Sequence, residues 1–273
     1  MREISVAVGF SLLVLIPFLV FVAIGWPGQK SDCVTETNGG KVANTCYCEQ
    51  FQATDIGKPG VRQPFNTWSN LYALLTGGVL AFLIYWNRKN GLPAGSNRMR
   101  STHFYPLLYI AVVIFLGLGS MWFHGSLTQW GGVFDNASMY TFTNFILFYT
   151  IVRLTNIDLM FYIGYPVATV ALIVLAALGA DSLIVVIFSV VVYAILEGLT
   201  FFMPHVRNTK GPWLYFWLPG LGSIALATLA WILSQTGGPL CLATHAFQFH
   251  GLWHWLAGGT AMLLYFFWRA APR

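Results

Sequence analysis

Two histidines near the end of the chain, His250 and His254, have the spacing of metal ligands on a helix. Side chains four residues apart lie one above the other on the same helical face. The surrounding segment is apolar and long enough to cross a membrane, where an ionisable side chain is costly and is therefore a candidate for function. A third histidine, His124, ends another apolar segment. Three imidazoles are thus available for one catalytic zinc ion that keeps a water in its open position.

Two further polar residues accompany the histidines. Ser120 lies one helical turn before His124, and Asp135 opens the next apolar segment. Zinc can lower the pKa of a bound water to about 7. In such a site Asp135 would orient the water and accept its proton, and Ser120 would hydrogen-bond the water or the oxyanion that develops on an attacked carbonyl. The predicted chemistry is metal-assisted hydrolysis of an amide or ester.

Other polar residues have simpler interpretations. A His-x3-His pair alone is weak evidence, because aromatic-rich helices at a membrane surface often carry histidine. His103 and His205 lie beside basic loops and are interpreted as interfacial residues, whereas His245 is a loop or cap residue with a smaller chance of lining the mouth of the site. Glu197, inside an apolar segment, is either functional or hydrogen-bonded to a neighbouring helix, and we favour the second interpretation. The polar residues of segment 65–70 are expected to cap a helix, and could also hydrogen-bond the metal ligands.

The composition is that of a membrane protein. The chain has 273 residues, of which 57% are hydrophobic and only 8% are charged, whereas a typical soluble domain carries about 25% charged residues. An ordinary soluble enzyme is therefore excluded, because too little polar surface is available to cover it. The net charge of +5 does not indicate nucleic-acid binding, because most of the Lys and Arg residues stand at the ends of apolar segments.

Eight apolar segments of about 20 residues predict an all-α polytopic membrane protein, a seven-transmembrane-helix bundle preceded by an N-terminal signal-anchor helix. Residues 1–25 are the anchor, 26–63 form an extracytoplasmic segment that contains three cysteines, and 64–273 form the seven-helix domain. No small-x-small site follows the first segment, which argues against a cleaved signal peptide. The predicted spans are 5–25, 65–87, 104–124, 133–153, 158–178, 181–203, 212–234 and 246–268.

The distribution of basic residues orients this bundle. If the spans alternate, most basic loops lie on one side, which is then cytoplasmic together with the C-terminus. The five candidate site residues fall near the extracytoplasmic ends of their helices, and the cysteines lie on that side too, which predicts one or two disulfides. Three pairings are possible for the four cysteines, which are Cys33, Cys46, Cys48 and Cys241. The short loops would suit a bacterial inner membrane.

The ordered motifs resemble the alkaline ceramidase family, part of a wider group of seven-helix membrane hydrolases that includes the adiponectin receptors. The resemblance covers about 46–270 and rests on Asn66-Thr67-Trp68-Ser69-Asn70, Gly119-Ser120-Met121-Trp122-Phe123-His124, Asp135 and His250-Gly251-Leu252-Trp253-His254. It implies a zinc amidase that cleaves ceramide to a sphingoid base and a free fatty acid. It also implies that His124, His250 and His254 are the zinc ligands and that Ser120 and Asp135 assist the zinc-bound water.

The resemblance further implies a disulfide between Cys48 and Cys241, which leaves Cys33 and Cys46 as a second pair.

Eukaryotic members of the family bind calcium through acidic residues in the segment that here holds Cys46 and Cys48. Here Cys46 and Gln63 replace two of those acids, and only Glu49 remains. Because calcium favours carboxylate ligands, we expect the calcium site to be absent or much weakened.

The expected partner is a membrane lipid. A metal site inside an apolar bundle is reached more easily by lipids than by soluble peptides, so a lipid amide or ester such as ceramide is the expected substrate, and no nucleic acid is expected. One alternative is a receptor-like member of the same group, against which the short inner loops argue. Another is a seven-helix transporter without hydrolase activity, which would show helices broken at mid-membrane or paired repeats.

Overall fold

The computed structural model describes residues 1–36, 42–44, 47–51, 55–91, 97–179, 182–202 and 214–271. The described part of the chain is almost wholly helical, so the predicted all-α membrane fold is confirmed. The helices are α1 (Arg2–Ile24), α2 (Pro64–Ser69), α3 (Tyr72–Lys89), α4 (Arg98–Ser101), α5 (Phe104–Ser126), α6 (Gln129–Thr155), α7 (Tyr165–Ala177), α8 (Ser182–Thr200), α9 (Leu214–Leu233) and α10 (Phe249–Ala270). A π-helical turn, Met160–Gly164, leads into α7, and two short antiparallel strands, β1 (Val34–Glu36) and β2 (Val42–Asn44), pair between α1 and α2.

The long helices correspond to the apolar segments of the sequence. Among the described residues, six helical segments are long and apolar enough to cross a membrane, as expected of a multi-pass integral membrane protein. They are Arg2–Ile24, Pro64–Lys89, Phe104–Ser126, Met160–Ala177, Ser182–Thr200 and Leu214–Leu233. The remaining two long helices, α6 with 27 residues and α10 with 22, carry polar side chains of the candidate site.

Two departures from the predicted spans have local causes. The span predicted from residue 133 begins earlier, at Gln129, because the Thr128 hydroxyl caps it by accepting a hydrogen bond from the backbone N–H of Gly131 at 3.3 Å. The span predicted over 65–87 is divided into α2 and α3. There the Asn70 amide and the Ser69 hydroxyl both donate to the carbonyl of Asn66, at 2.7 and 3.0 Å. Such side-chain bonds compete with the helical ladder, which gives a physical reason for the break.

Helix α1 packs along α3 and α5. Its Phe18 is fully buried, and the Phe18 ring lies 5.2 to 6.1 Å from the rings of Trp26, Trp68 and Trp122. A Cβ atom at Gly125 of α5 would stand 2.8 Å from this ring, so glycine is needed for the close contact. Helix α1 therefore supports the end of α5 on which His124 lies.

Close contact between α5 and α6 sets two candidate site residues next to each other. A Cβ atom at Gly119 would stand 2.4 Å from the Cβ of Ser138 on α6. The Ser138 hydroxyl also lies 3.1 Å from the carbonyl of Leu116 on α5, within hydrogen-bonding distance. Because glycine lets the two helices approach, Ser120 on α5 lies close to Asp135 on α6.

A buried ion pair joins α6 and α8 at the other end of the bundle. Glu197 is fully buried and forms a salt bridge with Arg153. Its carboxylate also accepts hydrogen bonds from Thr150 at 2.7 Å and from Thr200 at 3.1 Å. From the sequence we favoured a hydrogen bond between Glu197 and a neighbouring helix. The structure shows such a contact with α6, and its partner there is the charged Arg153. A buried carboxylate needs such partners, because an unpaired charge in the bundle would be strongly destabilising.

Candidate metal centre

Three histidines from two helices converge inside the bundle. His124 near the end of α5 and His250 and His254 in the first two turns of α10 are all at least 98% buried. One ring nitrogen from each lies within 4.8 Å of the others, so that together they could hold a metal ion. Within the described ranges, no other group of three His, Cys, Asp or Glu residues has this arrangement.

The Nδ1 of His124 is occupied by a hydrogen bond. It lies 2.7 Å from the Oε1 of Gln63, an amide oxygen that can only accept, so Nδ1 is the donor. The amide nitrogen of Gln63 in turn donates to the carbonyl of Glu49 at 3.1 Å. A neutral imidazole protonated on Nδ1 presents an unprotonated Nε2. This Nε2 is buried and has no hydrogen-bond partner in the described part of the chain, as expected of a metal ligand.

The orientation of His254 is set by Ser69 of α2. The Ser69 hydroxyl donates to the carbonyl of Asn66, so it accepts from the Nδ1–H of His254, at a distance of 2.6 Å. The Nε2 of His254 is then unprotonated and lies 3.3 Å from the Oγ of Ser120. Metal-binding histidines usually donate their other ring N–H to such a partner, which fixes the tautomer. The predicted role of segment 65–70 in holding the metal ligands thus has its structural counterpart in Ser69.

The ring of Tyr47 covers the third histidine. It stacks on His250 with 4.0 Å between the ring centroids, and its centroid lies 5.1 Å from that of His124. The Nδ1 of His250 is buried without a hydrogen-bond partner among the residues described. Buried and unpartnered nitrogens at His124 and His250 are costly unless a ligand uses them. This donor set of three neutral imidazoles fits zinc.

Ser120 and Asp135 lie beside the histidines, and both side chains are buried. The Ser120 hydroxyl interacts with the Asp135 carboxylate as well as approaching His254. Asp135 also lines a cavity of about 230 Å³, with Cys33 and Tyr47 among its other lining residues. The structure therefore brings all five predicted site residues together, with a cavity beside Asp135.

Glu49 supports the site through α2, the helix that carries Ser69. Its two carboxylate oxygens accept hydrogen bonds from the backbone N–H groups of Phe65 and Asn66, at 2.7 and 2.8 Å, and thereby cap the N-terminus of α2. Burial raises the pKa of Glu49, and the two backbone donors oppose that shift. The one acid that remains of the expected calcium ligands is thus engaged in holding α2.

A disulfide connects the segment that carries Tyr47 and Glu49 to the loop before α10. Cys48 is bonded to Cys241, with 5.2 Å between their Cα atoms, which is the pairing implied by the family resemblance. Cys46, the expected partner of Cys33, lies outside the described residues.

The remaining histidines fall in different places. His245 lines a wide surface groove together with Ser69 and Trp255, so it does lie near the site. His103 is exposed at the opposite end of the bundle, where it contacts Arg88. His205 lies outside the described residues.

Sequence reasoning missed two residues that contact the histidines. Gln63 was considered only as a replacement for a calcium ligand, and Tyr47 was not considered at all. A polar residue directly before Pro64, at the start of a predicted helix, was a usable sequence signal for Gln63. Nothing in the pattern around Tyr47 indicated that its ring would stack on His250.

Fold and site together define a multi-pass helical membrane protein with a buried three-histidine centre able to hold a metal ion. A family model described as Ceramidase matches residues 44–271. The chain therefore belongs to the ceramidase family, and the family resemblance noted from its motifs is confirmed. No curated protein sequence gives a significant match. Helix α1 precedes the matched residues.

Proposed function

We propose that the protein is a zinc-dependent ceramidase, which hydrolyses the amide bond of ceramide within the membrane to a sphingoid base and a free fatty acid. The observation that carries this proposal is the buried trio His124, His250 and His254 in a chain of the ceramidase family. The family supplies the reaction class, hydrolysis of an amide, and the trio supplies a place for the metal.

The three histidines would hold the zinc ion, each through one neutral imidazole nitrogen. Zinc bound there supplies Lewis-acid chemistry, because it polarises a carbonyl oxygen and makes a neighbouring water more acidic. Gln63 and Ser69 keep His124 and His254 in the tautomer that leaves Nε2 free for the metal.

Asp135 is the proposed proton acceptor, and Ser120 the proposed hydrogen-bond donor to the substrate. As the water oxygen bonds to the amide carbon, Asp135 takes one of the water protons. The Ser120 hydroxyl donates to the carbonyl oxygen while negative charge develops on it. When the carbon–nitrogen bond breaks, Asp135 returns the proton to the amine nitrogen, which leaves as the sphingoid base.

An apolar groove beside the histidines supports a lipid substrate. It has a volume of about 970 Å³ and is lined by Ser69 and Trp255, among others. An alkyl chain is suited to this groove, because its lining is predominantly apolar.

We further propose that the histidines lie at the extracytoplasmic side and that the C-terminus is cytoplasmic. In this arrangement α1 is a retained anchor helix, followed by the segment 26–63 and the domain 64–273. The disulfide Cys48–Cys241 lies at the same end as the histidines, and disulfides form in oxidising compartments. Arg88 and Arg269 lie at the other end, as the excess of basic residues on the cytoplasmic side requires.

Metal analysis of the detergent-purified protein, with ceramide hydrolysis measured on the same samples, tests the proposal. We expect about one zinc ion per chain, as a catalytic site requires, and turnover of ceramide, both lost in His254→Ala. His103→Ala removes an exposed histidine at the opposite end and should retain both. Zinc without ceramide turnover would redirect the search to other lipid amides and esters. Protein that is active without zinc would overturn the proposed metal dependence.

A further inference from the structure

Three arginines from different elements line one pocket at the end of the bundle opposite the histidines. Arg88 lies near the end of α3, Arg100 lies in α4, and Arg269 lies in the last turn of α10. With Asn87 and Tyr265 among its other lining residues, the pocket has a volume of about 190 Å³. This concavity is separate from the candidate metal centre.

The pocket carries a surplus of positive charge. Arg88 is paired with Glu3 of α1, with 2.8 Å between nitrogen and oxygen. Arg269 donates to the side-chain oxygen of Asn87 at 2.8 Å, a neutral partner. In the part of the chain that the structure describes, neither Arg100 nor Arg269 has an acidic partner. Among the described residues, only one of the three guanidinium groups, that of Arg88, is therefore paired with a carboxylate.

The two arginines without acidic partners repel each other. Partial desolvation and the neighbouring Arg269 guanidinium both lower the pKa of Arg100 from its ordinary value. Arginine nevertheless stays protonated in proteins near neutral pH. An anion in the pocket would relieve the repulsion between the two guanidinium groups.

The pocket lies at the end of an apolar surface on α3. Leu75, Val79, Phe82 and Trp86 are exposed along one face of this helix, and Arg88 lies on the opposite face, two residues after Trp86. The rings of Phe82 and Trp86 stack with 5.9 Å between their centroids. Tryptophan is common where lipid headgroups meet the hydrocarbon. The arginines of the pocket therefore lie at the depth of the lipid headgroups.

We propose that Arg100 and Arg269, with Arg88 beside them, bind the phosphate of an anionic membrane lipid. Guanidinium groups match the geometry of phosphate oxygens and can form paired hydrogen bonds with them. The lipid is bound at a site distinct from the one proposed for the substrate, and its binding does not depend on the proposed enzymatic activity.

Native mass spectrometry of the full-length protein tests this proposal. The protein is mixed with equal amounts of phosphatidylglycerol and phosphatidylcholine that carry the same acyl chains. We expect the wild type to retain phosphatidylglycerol preferentially. Arg100→Gln/Arg269→Gln should lower that preference roughly 25-fold, a factor of about 5 for the hydrogen bonds that each guanidinium in the pocket makes to the phosphate. The matched control Arg2→Gln/Lys89→Gln removes the same charge from exposed positions at the same end of the bundle, outside the pocket, and should keep the preference.

The single variant Arg100→Gln tests the proposal even if the double variant misfolds, because the Arg100 side chain is exposed and its replacement should not disturb folding. It should still lower the preference about fivefold. Equal retention of the two lipids by the wild type, or an equal loss in the control pair, would overturn the proposal. Inorganic phosphate added alone should leave phosphatidylglycerol bound. Release of the lipid by phosphate would assign the pocket to a free anion and also overturn the lipid proposal.

Discussion

The Nδ1 of His124 donates a hydrogen bond to the Oε1 of Gln63 across 2.7 Å, and this contact ties a candidate metal ligand on α5 to the chain that enters α2. The same glutamine donates to the carbonyl of Glu49, one residue beyond the disulfide-bonded Cys48. The segment before α2 and the metal centre are therefore parts of one hydrogen-bonded unit. A change at Gln63 should be measurable at the metal.

We expect Gln63→Ala to weaken zinc binding by about 10- to 100-fold, because the Nδ1–H of His124 loses its partner and the imidazole is no longer held in one tautomer. A buried donor left unpaired should also lower the free energy of unfolding by about 1–3 kcal/mol. Competition with a zinc chelator and thermal unfolding in detergent measure the two effects. Gln129→Ala, at an exposed glutamine, is the control. Unchanged zinc affinity in Gln63→Ala would show that the contact does not position the ligand.

We expect Asp135→Asn to retain zinc and to lose ceramide turnover by about 10²- to 10⁴-fold, the usual contribution of a general base. The substitution keeps the size of the side chain and removes its ability to accept a proton. Zinc content and kcat, measured on one preparation, separate binding from catalysis. Asp32→Asn changes an exposed aspartate and should leave both values unchanged. Full turnover by the Asp135→Asn variant would exclude Asp135 as the proton acceptor.

We expect Cys48→Ser to expose one new thiol, that of Cys241, to a membrane-impermeant reagent applied from the extracytoplasmic side. Loss of a native disulfide typically costs about 2–5 kcal/mol, so the variant should also unfold at a lower temperature. Labelling of wild-type protein before and after reduction is the control. Absence of labelling from that side, together with labelling from the other side, would reverse the proposed orientation.

We expect Arg153→Leu to lower the free energy of unfolding by about 3–5 kcal/mol, because it leaves the Glu197 carboxylate buried without its charged partner. The double variant Arg153→Leu/Glu197→Leu should recover most of this loss, since it removes both charges. Lys58→Ala disrupts an exposed pair with Asp55 and should change the value by less than about 1 kcal/mol. Thermal or denaturant unfolding in detergent measures the series. A double variant as unstable as the single one would mean that packing, and not the unpaired charge, is responsible.

The sequence by itself determined the helical spans and the residue types of the site. In a membrane each backbone polar group must be satisfied within its own segment, so apolar stretches of sufficient length become helices whatever surrounds them. The placement of His250 and His254 on one helical face follows from helix geometry in the same way. These are local properties, and they need no knowledge of neighbouring helices. The break between α2 and α3 was missed because hydropathy does not report the side-chain hydrogen bonds at Asn66.

Only the tertiary structure decided which side chains meet. Gln63 bonds to His124, 61 residues away, and Ser69 bonds to His254, 185 residues away. The partner of Glu197 and the grouping of arginines in the pocket opposite the histidines were likewise set by helix packing. An apolar pattern shows that a helical face is buried, but it does not say which helix covers that face. That choice depends on the shapes of whole surfaces, such as the close approach at Gly119, which emerge only when the bundle is assembled.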